Sequence, residues 1–358
     1  MLAFWTQSTF EGTGNNHIVM AGSRDGGKTW TEPKFIIGSR AVTKDEAKNE
    51  AQASWGFPVV TKSGRIYLFY YRELLGTVDN HRQLTGVFAA MYSDDCGESW
   101  SESGDIKQRK TRYDSDEYIQ DDIVYEVPMR GPDGKYLAGF TKYVSRHVKE
   151  EEDRDGCRVY FYRFDNIDDD PEIKDIKITT LPDDERGLHV YRSWGAIGRI
   201  EEPAWVTLPD GRIFASMRTN LGAVYFSYSS DGGHTWEDPR PLYFDDMTPF
   251  VHPISPCPLY DLGDGRYIQF YHGVFDINKP YLPRNPIRYA IGYFDPDNRQ
   301  PIRFKKEESG LFYELGDDAD GFGTVTQAAI YGTMTHQNGK NILWYPDRKF
   351  FLLGREIK

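Results

Sequence analysis

The sequence predicts an all-β protein, and more narrowly a six-bladed β-propeller with four-stranded antiparallel blades. Three observations predict it. Aromatic residues make up 15% of the 358 residues, alongside 34 glycines and 20 prolines, a composition of short strands and tight turns. An eight-residue turn motif recurs three times along the chain. A second kind of turn, ending in Gly followed by Arg or Lys, interleaves with it five times. A repeat of tens of residues that holds two hairpins is the pattern of a propeller blade.

The first motif is Ser23-Arg24-Asp25-Gly26-Gly27-Lys28-Thr29-Trp30, then Ser93 to Trp100, then Ser229 to Trp236. All three share S-x-D-x-G-x-[ST]-W. The Asp accepts bonds from nearby backbone N–H groups, the Gly takes a left-handed conformation, and the Trp seals the base of the turn. Degenerate turns of the same kind are expected at Phe164-Asp165-Asn166 and at Phe294 to Asn298. The second series centres on Gly64-Arg65, Gly134-Lys135, Gly211-Arg212, Gly265-Arg266 and Gly339-Lys340. Each lies between two strand-like runs, so each marks a hairpin. The two series are offset. The chain therefore opens in the second strand of one blade and ends inside another, and residues 1–358 read as one propeller domain whose first blade is incomplete.

The segments Ser39–Asn49, Lys107–Glu117 and Arg146–Gly156 are polar and read as loops. The last of these holds the strongest charge run, a solvated one. A formal net charge of -12 argues against nucleic acid or an anionic membrane as the main partner. No apolar stretch is long enough to cross a bilayer, so no membrane insertion is expected. Cys96, Cys157 and Cys257 fit neither a disulfide framework nor a zinc site. No cluster has metal-ligand spacing and no glycine-rich loop would cradle phosphate, so neither a metal nor a cofactor is expected. The acidic run Phe164–Asp170 reads as a turn.

The stretch Ile200–Thr219 carries the chemistry. Trp205, Val206, Thr207 and Leu208 run into the turn Pro209-Asp210-Gly211, and Ile213 to Met217 return. Glu201 and Glu202 open the first strand and Arg218 follows the second, which places carboxylate and guanidinium side by side at one rim of a sheet.

The three eight-residue turns and the hairpin pitch resemble the Asp-box (BNR) repeats of the sialidase superfamily, which are six-bladed propellers. That resemblance covers nearly the whole chain. It implies that Glu202 and Arg218 match the family's Glu and Arg of the fourth blade. It implies that Arg284, in Pro283-Arg284-Asn285-Pro286, or its close rival Arg288, matches the family's next Arg. In Tyr331 to Lys340 it implies that Tyr331 matches the nucleophile. The family's acid/base Asp stands just before a Pro at the opening of the second blade, where this chain has Phe57 before Pro58. The family's first Arg, which precedes the first blade strand, has no match.

Two arginines converging on one place form a planar clamp for an anion, and the simplest ligand is a sugar carboxylate such as a sialic or uronic acid. A neutral phenol can attack beside that carboxylate if a Glu takes its proton. Tyr331 with Glu202 fits this role. With Phe57 in the acid's place, Asp121 or Asp122 at the third blade's opening, or His252 and His272 around the fifth blade's hairpin, are the remaining proton carriers. The expected partner is an acidic carbohydrate, and the expected activity is exo-glycosidase. Two alternatives stand beside it. One is β-elimination from a uronic acid, with His or Tyr as base. The other is a carbohydrate-binding propeller without turnover.

Overall fold

A computed structural model of the chain describes residues 1–9, 14–47, 49–74, 86–116, 119–144, 156–193, 195, 197–315, 330–347 and 351–358. The structure is all-β, a six-bladed propeller, and among the described residues the α-helix is limited to the single turn Lys44–Ala47. That turn falls inside the expected loop Ser39–Asn49, where Thr43 and Glu46 cap each other's backbone N–H groups. The expected acidic loop Arg146–Gly156 lies, apart from Gly156, outside the described residues.

Every sheet is an antiparallel meander. Blade one holds Leu2–Gln7, His17–Gly22 and Lys34–Gly38. Blade two holds Ala53–Val60, Ile66–Arg72, Val87–Ser93 and Gly104–Asp105. Blade three holds Asp122–Val124, Tyr136–Tyr143, Cys157–Phe164 and Ile178–Leu181, with Met129–Arg130 as a short extra pairing on its second strand. Blade four holds Ile200–Thr207, Ile213–Thr219, Tyr225–Ser229 and Arg240–Pro241. Blade five holds Leu259–Asp261, Arg266–Tyr271, Ile287–Phe294 and Ile302–Tyr313. Blade six holds Thr333–Gln337, Lys340–Asp347 and Phe351–Ile357.

The turns follow the chemistry read from the sequence. In the third copy Asp231 accepts Thr235 N–H at 2.9 Å, Thr235 Oγ1–H at 2.6 Å and Ser229 Oγ–H at 2.8 Å. The Trp236 indole N–H closes the turn on the Gly233 carbonyl at 3.0 Å. Gly27, Gly97 and Gly233 all have φ near +90°, where a side chain would be strained. Of the degenerate turns, Asp165 accepts bonds from Arg163 and Thr179, and Asp295 from the Asp297 N–H.

The chain divides into two compact units, one of Met1–Arg130, Gly134–Arg154 and Phe161–Leu181, the other of Gly131–Asp133, Asp155–Tyr160 and Pro182–Lys358. In the first, Phe57, Phe69, Phe88, Tyr162 and Phe140 form a continuous aromatic stack. In the second, Val206, Phe214, Phe226, Phe250 and Phe304 build the core between blades four and five, and Phe270, Phe312, Leu343 and Tyr345 build that between blades five and six. Strands Ile66–Arg72 and Ile213–Thr219 are buried on both faces, so neither shows an alternation of buried and exposed residues.

Because the Asp231 carboxylate satisfies a whole turn, Asp231→Ala should lower stability by about 1–3 kcal/mol, measured by urea unfolding. A loss within experimental error would show that the turn is held by its glycine and tryptophan alone.

Candidate functional site

The rim of blade four is shaped by one extra residue. Glu201 pairs with Arg218 and Ala204 with Ser216, so three steps on the first strand oppose two on the second. This is a β-bulge, and Glu202 occupies it with φ of 50°. A left-handed non-glycine residue costs about 1–3 kcal/mol. It also undoes strand alternation, so two consecutive glutamates reach the same guanidinium. Arg218 donates to Glu201 Oε2 through Nε at 3.1 Å and Nη2 at 2.5 Å. Its Nη1 lies 2.7 Å from Glu202 Oε2.

Glu201 is the more connected carboxylate. Its Oε1 accepts Arg199 Nε–H at 2.6 Å and the Cys157 thiol at 3.3 Å. It is 1% exposed. Burial pushes the Glu201 carboxyl up, but Arg218 and Arg199 outweigh it and hold it at about 2. Burial likewise pushes the Cys157 thiol well up, and Glu201 adds to this, so the thiol stays protonated as donor. Tyr281, 38% exposed, sits within electrostatic reach of Arg199, Glu201 and Arg218. Burial raises its phenol, with Arg199 opposing and Glu201 adding.

Arg284 is half-buried in the loop before Ile287–Phe294, between Pro283 and Pro286, both of which follow cis bonds. Its Nε donates to the Tyr281 carbonyl and its Nη2 to the Ile254 carbonyl, each at 3.0 Å. Strand alternation therefore does not relate it to Arg288. Arg288 is exposed on the strand itself, opposite Tyr271, with its Cδ where a Cβ on Gly273 would crowd it. The charges of Arg218 and Arg284 both act to lower the His252 pKa, after burial and His272.

The expected proton carriers are sealed. His252 is fully buried and His272 is 2% exposed. Their rings stack at 5.2 Å, and both nitrogens of each are engaged. Burial pushes His252 well below the usual range and His272 down to about 4, so both rings are neutral at neutral pH. In the other unit, Asp122 is 1% exposed and ion-paired to Lys142, which also pairs with Asp114. Gln108 donates to both Asp122 oxygens. Burial pushes the Asp122 carboxyl up, with Lys142 opposing. Asp121 is equally buried. None of these groups offers a proton to solvent. Phe57 is 4% exposed and stacked on Phe69, a core residue and not a rim one. The rim residue of that blade is Trp55, which sits in a bulge identical in register to that of Glu202, with φ of 51°.

Tyr331 is half-buried two residues before the strand Thr333–Gln337, beside Ile330 in the apolar cluster with Leu343. The structure thus joins Glu202 to Arg218 by contact, while Arg284 is held on the Tyr281 and Ile254 carbonyls. Sequence reasoning missed Arg199, Cys157 and Tyr281. Arg199 was within reach, since it stands just before the strand Ile200–Thr207, two residues from Glu201. Cys157 and Tyr281 come from other segments and carry no local signal. Among the described residues no group of acidic, histidine and cysteine side chains is placed to hold a metal ion.

Comparisons with known proteins agree with this architecture. Residues 1–280 match the family model described as "BNR repeat-like domain". No curated protein matches the chain by sequence. Among solved structures, the intramolecular trans-sialidase of Ruminococcus gnavus, in complex with oseltamivir carboxylate, is similar at a TM-score of 0.62 and 15% identity, covering 100% of this chain and 91% of that one. A protein of unknown function from Dyadobacter fermentans reaches 0.59 at 15%, covering 97% and 85%. The NanB sialidase of Streptococcus pneumoniae reaches 0.60 at 13%, covering 97% of this chain and 63% of that one. At these identities the likeness to the solved structures is one of fold.

The buried imidazoles set a pH dependence. Between about 4 and 6.5 the unfolded chain takes up a proton at His272 that the folded chain refuses, so the His272 contribution to stability falls as pH falls through that window and is constant below it. The His272 share of the loss should be about 3 kcal/mol, read from urea unfolding at stepped pH as the part that disappears in His272→Asn. A pH profile that His272→Asn leaves unchanged would contradict the assignment.

Proposed function

The chain belongs to the BNR repeat-like domain family, and we propose that it is a sialidase-type exo-glycosidase acting on a terminal acidic sugar of a glycan or polysaccharide. The observation that carries this reading is the charge count at the rim of blade four and the loop beside it. Two guanidiniums, Arg199 and Arg218, pair with two carboxylates, Glu201 and Glu202, and a third guanidinium, Arg284, acts with Arg218 on the buried His252. The excess positive charge, held in a partly desolvated place, suits one further carboxylate from the ligand. The similarity to the trans-sialidase solved with oseltamivir carboxylate supports an acidic sugar as that ligand.

In this reading Arg284 and Arg218 take the sugar carboxylate. The Tyr331 oxygen attacks the anomeric carbon, its proton passes to Glu202, and the leaving oxygen departs and takes a proton from water. Water then breaks the phenol–sugar bond, the proton it sheds neutralises the hydroxide left by the first step, Glu202 returns its proton to the phenol oxygen, and the free sugar is released. Arg218 holds the Glu202 carboxylate in place to receive the proton in the first step. Glu201, locked by Arg199 and Arg218, is the fixed counter-charge.

The sealing of Asp122, His252 and His272 favours a second reading, a carbohydrate-binding propeller without turnover. The same sealing takes the imidazole base away from the β-elimination alternative and leaves Tyr331 to that role.

Assay of a sialoside and a uronide side by side separates these readings. Free sugar release that drops at least about a thousandfold in Tyr331→Phe is expected. Arg284→Ala should raise KM about 10- to 100-fold, the worth of a charged hydrogen bond. Release that survives Tyr331→Phe would remove the nucleophile. Absorbance from a new double bond would favour elimination, and binding with no turnover of either substrate would favour the second reading.

A further inference from the structure

The two buried histidines, His252 and His272, have fixed proton positions. The Ser255 carbonyl cannot donate, so His252 carries its proton on Nε2, 2.8 Å from that oxygen. Its Nδ1 accepts the His272 backbone N–H at 3.1 Å. The Pro286 carbonyl cannot donate either, so His272 carries its proton on Nδ1 at 2.8 Å, and its Nε2 accepts the Ser255 hydroxyl at 2.9 Å. Each ring is a bridge with one donor and one acceptor, and neither has a nitrogen left for a substrate.

These bridges tie together two segments that both hold Arg284. Ile254, between His252 and Ser255, accepts Arg284 Nη2 on its carbonyl, and its own N–H donates to the Pro280 carbonyl at 2.6 Å. Pro286, held by His272, lies two residues beyond Arg284. Arg284 Nε is fixed on the Tyr281 carbonyl. The turn 252–255 and the loop 280–286 are therefore clamped to one another, with two guanidinium nitrogens of Arg284 held on backbone oxygens. No hydrogen bond among the described residues uses its Nη1. A flat neutral ring suits the place, since a cationic side chain would repel both Arg218 and Arg284.

We infer that His252, Ser255 and His272 are positioning residues, a neutral brace that sets the orientation of Arg284 and leaves its Nη1 for a ligand carboxylate. The carboxylate part rests on the function proposed above; the positioning of Arg284 does not. The brace fixes Arg284 through the backbone of its own loop, and it acts on an anionic ligand without touching it.

The test uses two readouts on the full chain. The first needs no ligand: the rate at which phenylglyoxal modifies Arg284, mapped by peptide mass spectrometry, with Arg288 as internal reference. The second is calorimetric binding of N-acetylneuraminic acid and of glucuronic acid. His272→Phe keeps a ring and removes both side-chain bonds. It should speed Arg284 labelling at least threefold relative to Arg288 and weaken binding of the acidic sugar that the wild type takes about tenfold. The double variant with Arg284→Ala should bind no worse than Arg284→Ala alone. His272→Asn, whose amide can donate to Pro286 and accept from Ser255, should recover most of the loss. Where His272→Phe does not fold, Ser255→Ala, which removes one bond of the brace, should still speed labelling about twofold. Unchanged Arg284 labelling in Ser255→Ala and in a folded His272→Phe would overturn the brace even if wild type binds the sugar. Additive losses in the double variant would overturn its action through Arg284. Faster labelling in a protein that binds neither sugar would uphold the positioning of Arg284 and overturn its carboxylate ligand.

Discussion

A buried carboxylate between two arginines is the constraint on which the working end of this protein depends. Glu201 is almost wholly removed from water, and an isolated charge there would be far too costly to keep. Arg218 and Arg199 make it tolerable, and the Cys157 thiol takes a further lone pair. Breaking such a set by removing one member is expected to cost more than the set contributes as a whole, because the remaining charges stay buried. The bulge at Glu202 follows from this arrangement. It brings a second carboxylate to the same guanidinium, against the backbone preference of a non-glycine residue.

Blade geometry is reused with different side chains. Ser54 pairs with Tyr71 and Glu201 with Arg218, each followed by a one-residue bulge whose residue is left-handed. In blade two that residue is Trp55, set edge-on to Tyr71; in blade four it is Glu202. Blade three places Asp122 opposite Lys142, a charged pair of the same kind sealed under Gln108 and aromatic rings. The repeat therefore supplies a frame, and the side chain placed on it decides whether the position is packing, a closed ion pair or a partly open cluster. Function lives in what is grafted on this frame.

The sequence makes the fold legible because its turns are local chemistry. A Ser, an Asp, a Gly and a Trp within eight residues form the turn wherever they occur, and Gly64, Gly134, Gly211, Gly265 and Gly339 all adopt the left-handed φ that a Gly-[Arg/Lys] turn needs. The neighbourhood of Glu202 and Arg218 is legible for the same reason, since a hairpin dictates it. The bulge is not, and it explains two differences. It makes Glu201 the centre of the cluster with Glu202 beside it, and in blade two it carries Phe57 past the rim into the core. The sealing of His252, His272 and Asp122 was illegible because burial is supplied by distant segments, Pro286 for one histidine and Gln108 for the aspartate. Tyr281 stands beside Glu201 for a reason of that kind, and only the folded chain displays it.

The central claim is that Arg284 and Arg218 hold a sugar carboxylate. A crystal structure of the full chain soaked with N-acetylneuraminic acid measures it most directly. The account predicts the carboxylate within hydrogen-bond distance of Arg284 and Arg218. Carboxylate density away from both guanidiniums, with the sugar ordered elsewhere on the surface, would contradict it.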